Sequence, residues 1–110
     1  MRRTMRRKVG MGEPIPVSKL KEQLRRQLPA LSERYQVSSL RLFGSYVRQE
    51  ERPGSDLDLL VTFREAPSLL KLIELENRLS DLLGVKVDLV MEDTLQPRLA
   101  ERIFREAVAV

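Results

Sequence analysis

The sequence predicts an α+β fold, in which a small mixed β-sheet has helices packed on one face. Three observations predict this class. Apolar residues recur at helical spacing in three long segments, and three shorter segments have the apolar alternation of β-strands. Glycine or proline lies at most of the boundaries between them. The 110 residues suffice for one small domain but not for an additional substrate-binding domain.

The first elements are a helix followed by a strand. Ser18 is a plausible N-cap for an amphipathic helix whose apolar face includes Leu20 and Leu24. We expect Pro29 to interrupt or reset this helix before it continues toward Tyr35. The segment Val37–Phe43 then predicts the first strand.

A turn and a second strand follow. Gly44 supplies a sharp turn, Ser45–Arg48 predicts a short helical turn, and residues 49–54 form a polar loop. Residues 56–63 predict the second strand.

The second half repeats the alternation of helix and strand. Pro67 and Ser68 predict the start of a helix with a broad leucine stripe, which Gly84 ends. Residues 85–90 predict a third strand, and residues 97–108 a last helix that buries its apolar positions. Part of the leucine stripe could be left for a second subunit, so a homo- or hetero-oligomer is an open expectation.

Two carboxylates stand at the start of the second strand. Asp56 and Asp58 are two residues apart, so on a strand both point to one face with their Cα atoms about 6 to 7 Å apart. Their repulsion would be relieved by a shared hard cation, and the pair can bracket two Mg²⁺ ions about 3.5 to 4 Å apart. Asp88 lies on the opposite face from Val87 and Leu89, and pairing of the two strands could bring it against this pair.

These residues resemble a known family. Gly44 and Ser45, ten intervening residues, then Asp56 and Asp58, and later Asp88 look like the minimal nucleotidyltransferase (MNT) domain of the polymerase-beta-like nucleotidyltransferase superfamily. The resemblance covers roughly residues 38–108 and includes a closing helix. It implies the polymerase-beta-like nucleotidyltransferase fold. Val47 and Gln49 depart from the family pattern, which has a small residue before the arginine and a glycine after it.

The resemblance also implies roles for the site residues. Asp56, Asp58 and Asp88 would be catalytic residues and ligands of two Mg²⁺ ions, and Asp88 could receive the acceptor proton. Ser45, which can also be interpreted as a helix cap, and Arg48 would neutralise charge on the departing phosphate oxygens of ATP, with Gly44 beside them.

Composition narrows the available chemistry. The chain has no cysteine and no histidine, which excludes disulfides, thiol nucleophiles and imidazole acid–base catalysis. No apolar segment approaches the 18 or so residues of a membrane span, and none resembles a secretory signal, so we expect a cytoplasmic protein without membrane contact.

The net charge of +4 belongs to the beginning of the chain. Residues 1–14, expected to be a basic flexible tail, carry five basic residues and one acidic residue, whereas residues 15–110, the expected domain, carry 15 of each. This neutrality weighs against nucleic-acid binding by the domain. Only the tail could bind RNA or DNA phosphates.

Three functions remain open at this stage. The family resemblance implies an antitoxin that transfers AMP from ATP to a tyrosine of a HEPN-family toxin partner. A second hypothesis is an antitoxin that blocks its toxin by binding alone. The third is a nucleotidyltransferase for a small molecule or an RNA end, which would need a companion subunit to form the acceptor pocket. The chain itself cannot be the toxin, because the HEPN ribonuclease motif requires histidine.

Overall fold

The computed structural model describes residues 16–52 and 54–110. The expected basic tail of residues 1–14 therefore lies outside the described residues. The helices and strands run as follows: α1 Val17–Tyr35, β1 Val37–Phe43, α2 Ser45–Arg48, β2 Leu57–Phe63, α3 Leu69–Leu83, β3 Val87–Met91, a 3₁₀ turn at Glu92–Thr94, α4 Pro97–Glu106 and β4 Val108–Ala109.

The four strands form one mixed sheet in the order β3-β2-β1-β4. The strand β1 pairs antiparallel with β2 and with β4, while β2 pairs parallel with β3. The expected small mixed sheet is thereby confirmed. The parallel pair is possible because α3 forms the crossover connection between β2 and β3.

The main core lies between the sheet and the two long helices. Leu24 of α1 and Leu79 of α3 are fully buried, and they pack against the strand residues that point to the same face, among them Leu59. Leu60, the next residue along β2, points to the opposite face. There it meets Ile103 of α4 in a smaller cluster. The expectation of helices on one face thus holds for α1 and α3, whereas α4 covers part of the other face.

The helix α1 differs from expectation at two positions. Its N-cap is Pro16 and not Ser18, and the Pro16 carbonyl accepts hydrogen bonds from the Lys19 and Leu20 N–H groups of the first turn. The helix is also continuous through Pro29. Proline costs about 3 kcal/mol inside a helix, but buried leucines on both sides of Pro29 anchor α1 to the same core.

The last helix is shorter than expected. It ends at Glu106, because Ala107 takes an extended conformation and leads into β4. Of the apolar positions expected to be buried, Ile103 is buried, whereas Leu99 is 46% and Phe104 is 37% exposed. Their spacing fits a helix, but a four-stranded sheet is too narrow to cover them all.

The helix α3 begins and ends as predicted. Ser68 is its N-cap and accepts a hydrogen bond from the Lys71 N–H, and Gly84 ends it in the left-handed conformation. Part of its predicted stripe is exposed, including Leu69 and Ile73. None of the helices in the described residues is both long enough and apolar enough to cross a membrane.

Candidate active site

Two of the predicted carboxylates face each other across the parallel strand pair. Asp58 of β2 lies directly opposite Asp88 of β3. The pair begins just before them, where the Leu57 N–H donates to the Lys86 carbonyl at 2.8 Å. On its other side Asp58 is paired with Phe43, the last residue of β1. This register brings the end of β1 and the starts of β2 and β3 together at Asp58.

The surroundings of Asp58 disfavour its ionised form. Burial, together with the nearby charges of Asp88 and Asp56, raises its pKa to about 6. The positive charge of Arg48 lowers the pKa of Asp58, but by less than burial and the acidic neighbours raise it. A cation bound beside Asp58 would favour the ionised form and lower this pKa.

Asp56 comes just before β2, and not within the strand as expected. It is partly buried, and its charge acts on the Tyr46 hydroxyl as well as on Asp58. Burial raises the pKa of Tyr46, and the charges of Glu51 and Asp56 raise it further. The buried Oε1 atom of Glu51 has no hydrogen-bond partner among the described residues. Negative charge thus extends from Asp58 to Glu51.

The chemistry of these groups fits a hard divalent cation. All the candidate ligands are carboxylate oxygens, which Mg²⁺ prefers, and the charges of Asp88 and Asp56 both act on Asp58. Within residues 16–52 and 54–110, however, no three acidic side chains are close enough to hold one ion in their present positions. Ligation by all three aspartates would therefore require side-chain rotation.

Gly44 lies against the carboxylate of Asp58. A β-carbon at position 44 would overlap Oδ2 of Asp58, and the backbone of Gly44 has φ +83° and ψ −156°, a region that only glycine adopts readily. Both the space and the conformation therefore require glycine. As a result, the Gly44 backbone stands directly beside the carboxylate.

Arg48 ends α2 and points toward α4. Its Nη1 donates to Glu106 Oε1 at 2.8 Å and its Nε to Glu50 Oε1 at 2.9 Å. These two hydrogen bonds, with that to Glu106 the stronger influence, raise the pKa of Arg48 above its ordinary value. Ser45 is the first residue of α2, whose N-cap is Gly44, so the interpretation of Ser45 as the cap is wrong.

Glu106 is a site residue that the sequence did not reveal. Its Oε2 accepts a hydrogen bond from the Gly44 N–H at 2.6 Å. Burial alone would raise the pKa of Glu106, but the hydrogen bonds from Arg48 and Gly44 prevail and lower it. The sequence did contain a signal, an acidic residue at the end of the predicted closing helix. The apolar pattern of that helix pointed to its buried face and not to Glu106.

A cavity of about 240 Å³ lies between these residues and α4. Its walls include three of the predicted residues, Gly44, Arg48 and Asp58, together with Leu99 and Glu106. Asp88 and Asp56 do not line this cavity; Asp88 lies beside it, opposite Asp58 on the neighbouring strand. Hydrogen-bond donors, the partly buried carboxylate of Asp58 and an apolar wall therefore meet in one cavity.

Comparisons with known sequences connect this arrangement to a family. The model of the family "Nucleotidyltransferase domain" matches residues 24–110. Protein adenylyltransferase MntA of Thermococcus cleftensis is 52% identical over 80 residues, which are 73% of this chain and 81% of the relative. A protein of Methanocaldococcus jannaschii, provisionally named a protein adenylyltransferase, is 47% identical over 90 residues, 82% of this chain and 92% of the relative.

Solved structures agree with the sequence comparisons. A structure provisionally described as a minimal nucleotidyltransferase superposes with a TM-score of 0.74 at 41% identity, over 90% of this chain and 100% of the other. The complex of a tri-AMPylated Shewanella oneidensis HEPN toxin with its MNT antitoxin gives a TM-score of 0.55 at 23% identity, over 84% of this chain and 66% of the other. The second likeness concerns the fold alone. The chain belongs to the nucleotidyltransferase domain family, is of the minimal, polymerase-beta-like type, and is a nucleotidyltransferase.

Proposed function

We propose that the protein is an antitoxin that transfers AMP from ATP to a tyrosine hydroxyl of a HEPN-family toxin. The observation that carries the proposal is the junction of Asp58, Asp88 and Gly44: strand pairing sets the two aspartates opposite each other, and the Gly44 backbone lies against Asp58 at the wall of the cavity. The protein adenylyltransferase at 52% identity supports a protein acceptor. The fold shared with an MNT antitoxin that binds a HEPN toxin supports the kind of partner.

The carboxylates have separate roles in this reaction. Asp56 and Asp58 would hold two Mg²⁺ ions and Asp88 would share the second. Bound Mg²⁺ would screen the triphosphate and favour attack at the α-phosphorus. Asp88 is the most exposed of the three, so an acceptor from outside can reach it, and it would receive the proton of the tyrosine hydroxyl.

The donors act on the nucleotide. The tyrosine oxygen forms a bond to the α-phosphorus, and the bond from that phosphorus to the bridging oxygen breaks, so pyrophosphate leaves with the electron pair. Arg48 and the Gly44 N–H stand on the other side of Asp58 from Asp88, where they would stabilise the charge on the phosphate oxygens. Ser45 would assist them from the first turn of α2.

The test is the intact mass of a purified HEPN-family partner after incubation with this protein, ATP and Mg²⁺. We expect the partner to gain one or more AMP units on tyrosine, and the double variant Asp56→Asn, Asp58→Asn to abolish the gain. The double variant Asp81→Asn, Asp93→Asn is the matched control, because it removes the same charge at two exposed positions outside the cavity. It should modify the partner as the wild type does.

Two results would contradict the proposal. A partner that stays unmodified, yet binds the wild type and the double variant of Asp56 and Asp58 equally well, indicates an antitoxin that acts by binding alone. Modification of an RNA end or a small molecule in place of the partner indicates a different acceptor.

A further inference from the structure

Glu106 occupies both donors that the proposed function assigns to the nucleotide phosphates. One carboxylate oxygen accepts from the Gly44 N–H at 2.6 Å, and the other accepts from Arg48 Nη1 at 2.8 Å. A carboxylate and a phosphate offer similar geometry, with two oxygens that each accept a charge-assisted hydrogen bond. The Glu106 carboxylate therefore lies where a phosphate group of the nucleotide would accept the same two hydrogen bonds.

The short strand β4 is responsible for this placement. Its antiparallel register with β1 pairs Leu42 with Val108 and Arg41 with Ala109. Continued by two residues, the same register sets Gly44 opposite Glu106. The end of α4 is thus held beside the turn after β1 by backbone pairing, and the contact does not depend on a flexible tail.

The position is next to the carboxylate of Asp58. Gly44 is in contact with the Asp58 side chain, and Gly44, Asp58 and Glu106 line the same cavity. A triphosphate held by a cation at Asp58 would bring its oxygens to the Gly44 N–H, where they would meet the negative charge of Glu106. Glu106 and the nucleotide therefore compete for the single Gly44 N–H and for the side of Arg48 that Glu106 binds.

Glu106 has a second cation within reach. Arg102 precedes it by one helical turn on α4, lines the same cavity, and helps to lower the pKa of Glu106. Residues four apart on a helix are neighbours. The carboxylate can therefore leave Arg48 without becoming an unpaired charge.

We propose that Glu106 is a positioning residue of the nucleotide site, which holds the Gly44 N–H and the Arg48 guanidinium in place and yields both to the triphosphate. This inference rests on the proposed nucleotide-binding function and adds an exchange step to it. Binding of the triphosphate then includes the displacement of Glu106 toward Arg102. The affinity measured for the nucleotide is lower than the donors alone would give, because the carboxylate competes for them.

The experiment compares Glu106→Gln with the wild type. Glutamine keeps the length of the side chain and one acceptor for the Gly44 N–H, but it loses the charge that pairs with Arg48. Calorimetry would give the Kd of ATP and of tripolyphosphate, each with Mg²⁺, and the second probe isolates the phosphate position from the base. Glu101→Gln is the matched control, because Glu101 lies on the same helix in an exposed ion pair with Arg105.

We expect Glu106→Gln to lower both Kd values at least about threefold, the equivalent of one modest ion pair. In the Arg48→Ala background the same change should have a smaller effect, since the contested donor is absent. The KM for ATP should fall while kcat does not rise. The control Glu101→Gln should leave both Kd values unchanged.

Other outcomes would overturn the inference. If Glu106 only anchors α4, the substitution lowers the melting temperature and leaves both Kd values within twofold of the wild type. If Glu106 instead helps to bind the nucleotide, both Kd values rise. Failure of the wild type to bind ATP at all is a different result, because it contradicts the proposed function itself.

Discussion

The carboxylate of Asp58 lies where the β-carbon of any residue other than glycine would stand at position 44. The two residues are adjacent because Phe43, the last residue of β1, is paired with Asp58. The turn after β1 and the carboxylate therefore depend on each other. A change at position 44 acts on the charge centre as well as on the backbone.

Gly44→Ala is expected to abolish nucleotidyl transfer and to lower the free energy of unfolding by about 2 to 3 kcal/mol. This figure adds the cost of a backbone conformation that favours glycine to the cost of displacing the Asp58 side chain. Gly84→Ala is the control. Gly84 has φ +72°, but a β-carbon added there would have nothing within 4 Å. The substitution should therefore lower the free energy of unfolding by about 1 kcal/mol and leave the activity unchanged. Urea unfolding and pyrophosphate release measure the two effects. Equal losses of activity in both variants would show that overlap with Asp58 is unimportant.

The pH dependence of stability should reveal the raised pKa of Asp58. The value is about 6 in the folded protein against an ordinary 3.8. Between about pH 4 and pH 6 the folded state binds more protons than the unfolded state, so the free energy of unfolding of the metal-free protein falls as the pH rises. Above pH 6 the carboxyl group of Asp58 is ionised in both states, and the full cost of holding its charge in the folded protein is present.

Asp58→Asn should therefore be more stable than the wild type at pH 7 and lose this advantage near pH 4. The full shift corresponds to about 3 kcal/mol, and solvent screening of this partly open group reduces it to about 1 kcal/mol. Urea unfolding at several pH values measures the difference. Asp81→Asn on the exposed side of α3 serves as the control. A variant less stable than the wild type at pH 7 would contradict the assignment of burial and charge repulsion to Asp58.

Mg²⁺ is expected to stabilise the wild type and to make it more stable than Asp58→Asn at pH 7. An ion that binds the folded state at 100 times its Kd adds about 2.7 kcal/mol. The melting temperature of the wild type should rise with Mg²⁺ and return to its starting value after chelation. Asp58→Asn should respond much less. An equal response of both proteins would place the ion away from Asp58.

Tyr35 is expected to link α1 to α3 through its hydroxyl group, which donates to Glu74 Oε2 at 2.7 Å. Tyr35→Phe should lower the free energy of unfolding by about 1 kcal/mol. A double-mutant cycle with Glu74→Ala isolates the hydrogen bond from the ion pair of Glu74 with Arg34. Strictly additive losses of stability in the double variant would mean that the hydrogen bond contributes nothing. The nucleotidyltransferase activity of Tyr35→Phe should not change.

The sequence predicted those parts of the fold that have local signals. The strand Val37–Phe43 and the helical turn Ser45–Arg48 have the predicted bounds, and the N-cap Ser68 and Gly84 delimit α3 as expected. Each of these boundaries is set by residues within a few positions of it. Here the sequence alone was sufficient.

The remaining differences arise from contacts between distant segments. Val108 continues the apolar pattern of α4, and only its pairing with Leu42 shows that it belongs to a strand. Likewise, the meeting of Asp58 and Asp88 depends on the strand order, and the role of Glu106 on that same pairing at the sheet edge. A pattern within one segment cannot contain these relationships.

The pairing of β4 with β1 also has a consequence for biosynthesis. The Gly44 N–H and its acceptor Glu106 are 62 positions apart. At about 5 to 20 residues per second, a ribosome needs about 3 to 12 seconds to cover that distance. The contact between Gly44 and Glu106 can therefore form only after α4 has been synthesised, so the closing of this edge of the site is among the last steps of folding on the ribosome.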